Sequence, residues 1–175
     1  MSGSPTYFEL LGLAPQFDID LKTLETAYFR EQRRHHPDRF AGRPAHERQE
    51  ALFRSGDINT AYNTLKNPLG RAQYLLHLQG IAVGTEADSA RPSQQVLVET
   101  MEWREQIAGV QDAQAAGKLE TMLDALHTQS VAAIAQAYAR EAWDDMTQET
   151  LRLGYIAKAQ EAVLQQKKYK EKQAL

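Results

Sequence analysis

A chain of 175 residues, 42% of them apolar and 25% charged, has an ordinary globular composition and is long enough for one domain or two small ones. The formal net charge of -3 argues against bulk attraction to nucleic acid or an anionic membrane, and no apolar run approaches the ~18 residues of a membrane span. Cysteine is absent, which excludes disulfides, a thiol nucleophile and any zinc or cluster site on the chain's own thiolates; no metal and no cofactor is expected. The opening Met1-Ser2-Gly3-Ser4-Pro5 lacks the charged and apolar regions of a secretory signal, which predicts a cytoplasmic location.

Nearly every periodic segment reads as helix, and no run alternates with period two. A short helix is predicted from Tyr7 to Leu11, ended by Gly12. Asp18 or Asp20 caps a second helix running to about His35, with Leu21, Leu24, Ala27 and Tyr28 inward. Arg30, Arg33 and Arg34 occupy its last turns, where the helix dipole favours cations. Pro37 stops it, because proline disfavours helical geometry in the residue before it. After a loop at Ala41 to Pro44, a third helix runs from Ala45 to Leu65 with Ala51, Ile58, Ala61, Tyr62 and Leu65 on one face. Pro68 opens a fourth through Leu78.

Residues 80–92 hold two glycines, a proline and small polar residues, and read as a linker between domains 1–79 and 93–175. The second domain reads as a three-helix bundle. Ser93 caps a helix to about Ala116, with Gly117 as its terminator. Two more follow, Leu119 to Glu141 (core Leu123, Leu126, Ile134, Tyr138) and Asp144 to Lys170 (Met146, Leu151, Ile156, Leu164 inward at least in part).

The segment between the second and third helices carries the chemistry. Pro37 fixes a backbone dihedral, so His36 and Asp38 project from a constrained corner beside a basic helix. Taken alone, His36-Pro37-Asp38 reads either as punctuation between helices or as a recognition surface able to pair with a partner's arginine. Its surroundings decide the weighting: Tyr7-Phe8-Glu9-Leu10-Leu11-Gly12 before it, Tyr28 eight residues upstream, Ile58 through Leu65 downstream, then Pro68, Arg71 and Tyr74.

In that order and spacing the elements resemble the J domain, which stimulates ATP hydrolysis by DnaK-class chaperones; the likeness covers about residues 5–76. The resemblance implies a helical hairpin with short flanking helices, in which His36, Pro37 and Asp38 form the essential loop and Arg30, Arg33 and Arg34 help dock the chaperone. The run Arg71-Ala72-Gln73-Tyr74-Leu75-Leu76 lacks the aspartate that usually follows the tyrosine. With His36-Pro37-Asp38-Arg39-Phe40, it is similar to the HscB/Jac class of iron–sulfur co-chaperones. The segment Val96 to Glu105 resembles that family's first bundle helix, so the likeness spans essentially the whole chain.

Leu97, Met101 and Arg104 lie at helical spacing, with Val98, Glu102 and Glu105 close by; the apolar members read either as bundle core or as an exposed strip rimmed by acids. The resemblance implies a scaffold-protein contact at Leu97, Val98, Met101, Glu102 and Glu105, joined by Tyr155, while Trp103 and Ile107 are assigned to the core. It departs at two positions: Glu31 stands where leucine is usual, interrupting the inward stripe, and Gly109 where an acid often occurs.

Two rival chemistries are weak. His35, His36, Asp38 and His46 cluster in sequence, but adjacent histidines on a helix point about 100° apart and converge poorly on one ion. The arginines of the second helix could track phosphates, yet the negative charge and lack of interleaved aromatics oppose nucleic-acid binding. The expectation is an all-α adaptor with no catalytic site of its own. It would bring an IscU-like iron–sulfur scaffold protein to a dedicated HscA-like, DnaK-class ATPase. A J protein of general scope, delivering unfolded clients, is the alternative.

Overall fold

The computed structural model describes residues 5–84 and 90–173 and is helical without strands over them. Its elements are α1 (Tyr7–Leu11), α2 (Leu21–His35), a one-turn 3-10 helix (Pro37–Phe40), α3 (Ala45–Lys66), α4 (Pro68–Leu78), α5 (Gln94–Ala108), α6 (Ala113–Ala139) and α7 (Trp143–Gln173). Residues 1–4, read above for a signal, lie outside the described residues, as do 85–89 of the predicted linker and 174–175. The chain divides into two compact units, Met1–Leu75 and Leu76–Leu175, with the division inside α4.

In the first unit, local bonds define each helix. Thr6 and Glu9 form a reciprocal capping box at the start of α1: the Thr6 hydroxyl accepts the Glu9 N–H at 3.2 Å, and the Glu9 carboxylate accepts the Thr6 N–H at 2.7 Å. Gly12 closes the helix at φ 66, where a side chain would be strained and its Cβ would sit 3.0 Å from the Arg30 guanidinium. Asp20, of the two aspartates weighed above, caps α2 by accepting the Thr23 N–H and hydroxyl.

Helices α2 and α3 form an antiparallel hairpin, and α1 packs on both. The hairpin is laced by side chains. Tyr28 stacks on Tyr62 at 4.3 Å and donates to Asn59, Gln32 donates to the same Asn59 oxygen, and Ser55 donates back to Gln32. Leu24, Ala27, Ala51, Ile58, Ala61 and Leu65 are buried, whereas Tyr28 and Tyr62 are half-buried. Leu21, expected to face inward, is exposed; Ile19 and Phe17 of the preceding loop are buried instead. Arg71 is buried too. It donates to the Leu65 carbonyl at 2.9 Å with its guanidinium 4.9 Å from the Phe17 ring centroid, and burial pushes its pKa down against the opposing charge of Asp18.

In the second unit, α6 and α7 run antiparallel, joined by Gln160 to Asp124 and Lys167 to Glu120 at 2.6 and 2.7 Å. Helix α5 runs parallel to α7: the Ser93 N–H donates to Gln148 near the start of both helices, and Arg152 reaches Glu99 farther along. Trp103, Ile107, Leu119, Leu123, Ile156 and Val163 contribute to one apolar core.

The bundle departs from the expected pattern in three places. The first bundle helix stops at Ala108 rather than Ala116: Gly109 leaves helical geometry at φ -81, ψ 0, Val110 bonds three residues back to Ile107 and turns into the core, and Asp112 caps a new helix by accepting the Ala115 N–H at 2.7 Å. The next helix therefore begins at Ala113 rather than Leu119, and Gly117 lies inside it instead of ending its predecessor. Leu164, expected inward at least in part, is exposed; Val163 takes the inner position. Leu126, Leu151 and Tyr138 are half-buried.

The α6–α7 reversal passes through Glu141 at φ 55, a left-handed conformation in a residue with a Cβ. Glu141→Gly should therefore stabilise the chain by about 0.5–1 kcal/mol. A rise in the urea midpoint at unchanged m-value is the expected result, and a fall would contradict it.

Candidate docking surfaces

Proline chemistry builds the corner between α2 and the 3-10 turn. His36, placed before Pro37, is held extended at φ -63, ψ 130, so α2 ends and the chain re-enters a tight turn with Pro37 at its first position. The turn closes with the Arg39 N–H on the His36 carbonyl at 3.0 Å, and Arg39 Nη1 ties it back to the Arg33 carbonyl at 3.0 Å. His36 Nδ1 accepts the Asp38 N–H at 3.3 Å and lies 3.5 Å from Asp38 Oδ2. While Nδ1 accepts this N–H it cannot also donate to the nearby carboxylate. The side chains of His36 and Asp38 are 55% and 90% exposed. The corner thus offers an imidazole and an almost fully solvated carboxylate on a stiff backbone.

The three arginines beside it are not equivalent. Arg33 is exposed, and its guanidinium has no partner among the described residues. Arg34 donates to Glu31 Oε1 at 3.2 Å. Arg30 gives its Nε to the same Glu31 oxygen at 2.8 Å and its Nη2 to the Leu11 carbonyl at the end of α1, also at 2.8 Å. Glu31 is 9% exposed, so the residue that breaks the apolar stripe stays inside it as an ion. Burial pushes its carboxyl pKa up, but the Arg30 bond and the charges of Arg34 and Arg30 outweigh this and hold it below the usual carboxylate range.

On the bundle, α5 splits cleanly. Val96, Thr100, Trp103 and Ile107 are buried, at helical spacing. Leu97, Val98 and Met101 are exposed at 45%, 48% and 63%, with Glu102 and Glu105 exposed beside them. Five of the six predicted scaffold residues therefore share the outer side of one helix. Tyr155 lies on α7, half-buried against the core that includes Trp103 and Ile107, with the Lys158 ammonium 5.7 Å from its ring centroid. Gly109 is the C-cap of α5.

A polar network that sequence reasoning missed fixes α5 against its neighbours. Arg152 of α7 donates to Glu99 of α5 at 2.7 Å and to the Ser130 hydroxyl of α6 at 3.1 Å; Ser130 donates to Glu149 at 3.0 Å. The Gln148 amide adds a clamp at the start of α5, accepting from the Ser93 N–H at 2.8 Å and donating to the Arg91 carbonyl at 3.0 Å. The Glu149/Arg152 spacing on one helix was the only local hint, and nothing in sequence joins it to Glu99 or Ser130.

Among the described residues no helix is long and apolar enough to cross a membrane, and no group of three or more His, Asp or Glu side chains is arranged to hold a metal ion.

Comparison with known proteins gives two family matches, a DnaJ domain over residues 6–74 and an HSCB C-terminal oligomerisation domain over residues 92–164. The chain is 35% identical over 161 residues to the co-chaperone protein HscB of Proteus mirabilis (strain HI4320), covering 90% of this chain and 92% of the relative. Among solved structures, the chaperone HscB of Vibrio cholerae is 33% identical with a TM-score of 0.82, covering 98% of this chain and all of that one. The human co-chaperone protein HscB superposes with a TM-score of 0.87 at 27% identity, covering 95% and 84%.

The Arg152 network leads to a stability prediction. Arg152→Met would leave the Glu99 and Glu149 carboxylates, both largely shielded from water, without their shared cation. Urea unfolding should show a loss of about 1–3 kcal/mol; an unchanged midpoint would mean that the network is ornamental.

Proposed function

Because the chain belongs to the HscB family of co-chaperones and carries a J domain, we propose that it couples a DnaK-class, HscA-like ATPase to an IscU-like iron–sulfur scaffold protein. The observation that carries this reading is the presence of two exposed surfaces of different chemistry on one chain: the His36–Asp38 corner beside the basic end of α2, and the acid-rimmed apolar strip of α5. The chain works in the cytoplasm as an adaptor with no catalytic site; ATP chemistry belongs to the chaperone.

At the first surface, the Asp38 carboxylate accepts a charge-assisted bond from a chaperone guanidinium, while Arg33 and Arg34 steer approach to an acidic patch. The corner can stimulate hydrolysis only by binding the hydrolysis-competent state more tightly than the resting one, which is why a stiff backbone matters. At the second surface, Leu97, Val98 and Met101 supply the buried contact and Glu102 and Glu105 a polar rim, with Tyr155 alongside. This composition suits a modest, reversible interface. Holding both partners on one chain raises the scaffold's effective concentration at the chaperone without any new contact.

His36→Gln and Asp38→Asn should each reduce steady-state ATPase to the unstimulated rate while circular dichroism remains that of the parent. Retained stimulation by both variants would dismiss the docking corner. For the strip, alanine at Leu97, Met101 and Tyr155 together should weaken scaffold binding by about tenfold or more in calorimetry. It should also remove synergy between this chain and the scaffold in the ATPase assay. Undiminished affinity, or equal synergy with a denatured client in place of the scaffold, would favour a general J protein instead.

A further inference from the structure

Glu31 lies among the three arginines, and the two guanidinium groups that bond it, those of Arg30 and Arg34, use the same carboxylate oxygen, Oε1. The contacts run in series from the end of α1 to the docking surface: the Leu11 carbonyl accepts from Arg30, Arg30 donates to Glu31, and Glu31 accepts from Arg34. Arg30 has two guanidinium nitrogens committed within the unit and is less exposed than Arg34, 47% against 63%. The nearly buried carboxylate is held in place, so Glu31 stays a standing acceptor for Arg34 even though that guanidinium is itself largely exposed.

We infer that Glu31 attenuates chaperone docking: it holds Arg30 on the end of α1 and keeps hold of Arg34, leaving Arg33, among the described residues, as the arginine of the three that is unencumbered. An incoming carboxylate must therefore compete with Glu31 for Arg34. The surface carries a smaller local positive charge as a result. The inference rests on the proposed reading of this surface as the chaperone contact.

The test uses the full chain and the chaperone whose ATPase the parent stimulates. Glu31→Gln keeps the shape and the acceptor oxygen but removes the charge; Glu31→Leu removes both and suits a site that is 9% exposed. At low ionic strength either variant should reach half-maximal stimulation at a concentration lower than the parent by about two- to fivefold. The advantage should fade as salt rises and the Debye length shrinks. In an Arg34→Gln background the shift should fall by more than half, because the released partner is then missing. A merely structural role would change thermal stability but leave the salt dependence parallel to the parent's, and that result would overturn the inference. A shift undiminished without Arg34 would also overturn it. If the parent itself fails to stimulate the chaperone, the reading of the surface fails first, and the two failures are told apart.

Discussion

The clash between a proline ring and the residue before it governs the working end of the first unit. Pro37 forces His36 out of helical geometry, and three consequences follow from that one local constraint. The last carbonyls of α2 are left open, and Arg39 uses one of them to anchor the turn. The imidazole takes up the Asp38 N–H, which orients the ring. The Asp38 carboxylate is left in solvent with no helix to bury it. A carboxylate that binds another protein has to be exposed yet not free to wander, and a short backbone-fixed turn meets both conditions at small entropic cost.

Charges placed inside the fold follow a second rule, in which each is accompanied by enough partners to remain charged. Glu31 has two guanidinium groups. Arg152 has Glu99, Ser130 and Glu149. Arg71 marks the limit: it has the Leu65 carbonyl, the face of Phe17 and the nearby charge of Asp18, while its buried Nε has no hydrogen-bond partner among the described residues and burial pulls its pKa down. Such groups add little net stability compared with apolar residues, but their geometry discriminates between registers. In the bundle that matters directly. Burial of Val96, Trp103 and Ile107 sets which side of α5 faces inward, so that Leu97 and Met101 are presented, and the bond from Arg152 to Glu99 ties the helix to α7 in that orientation.

The helical class, the extents of α1, α3 and α4, the end of α2, the loop at Pro37 and the residues around it are all legible in the sequence alone. Those signals are local: proline and glycine act on their own dihedrals, caps act across three residues, and an amphipathic stripe repeats within one helix. The same reasoning failed over residues 109–117, where Gly117 reads as the terminator but the chain turns at Gly109 and buries Val110 beyond it. Packing alone settles the state of Glu31, the division of labour among Arg30, Arg33 and Arg34, and the choice between core and strip for Leu97 and Met101. Each of these depends on which distant group arrives at a given face: the Leu11 carbonyl for Arg30, Arg152 for Glu99. Packing brings such partners together across tens of residues, and no periodicity within a single helix encodes their meeting.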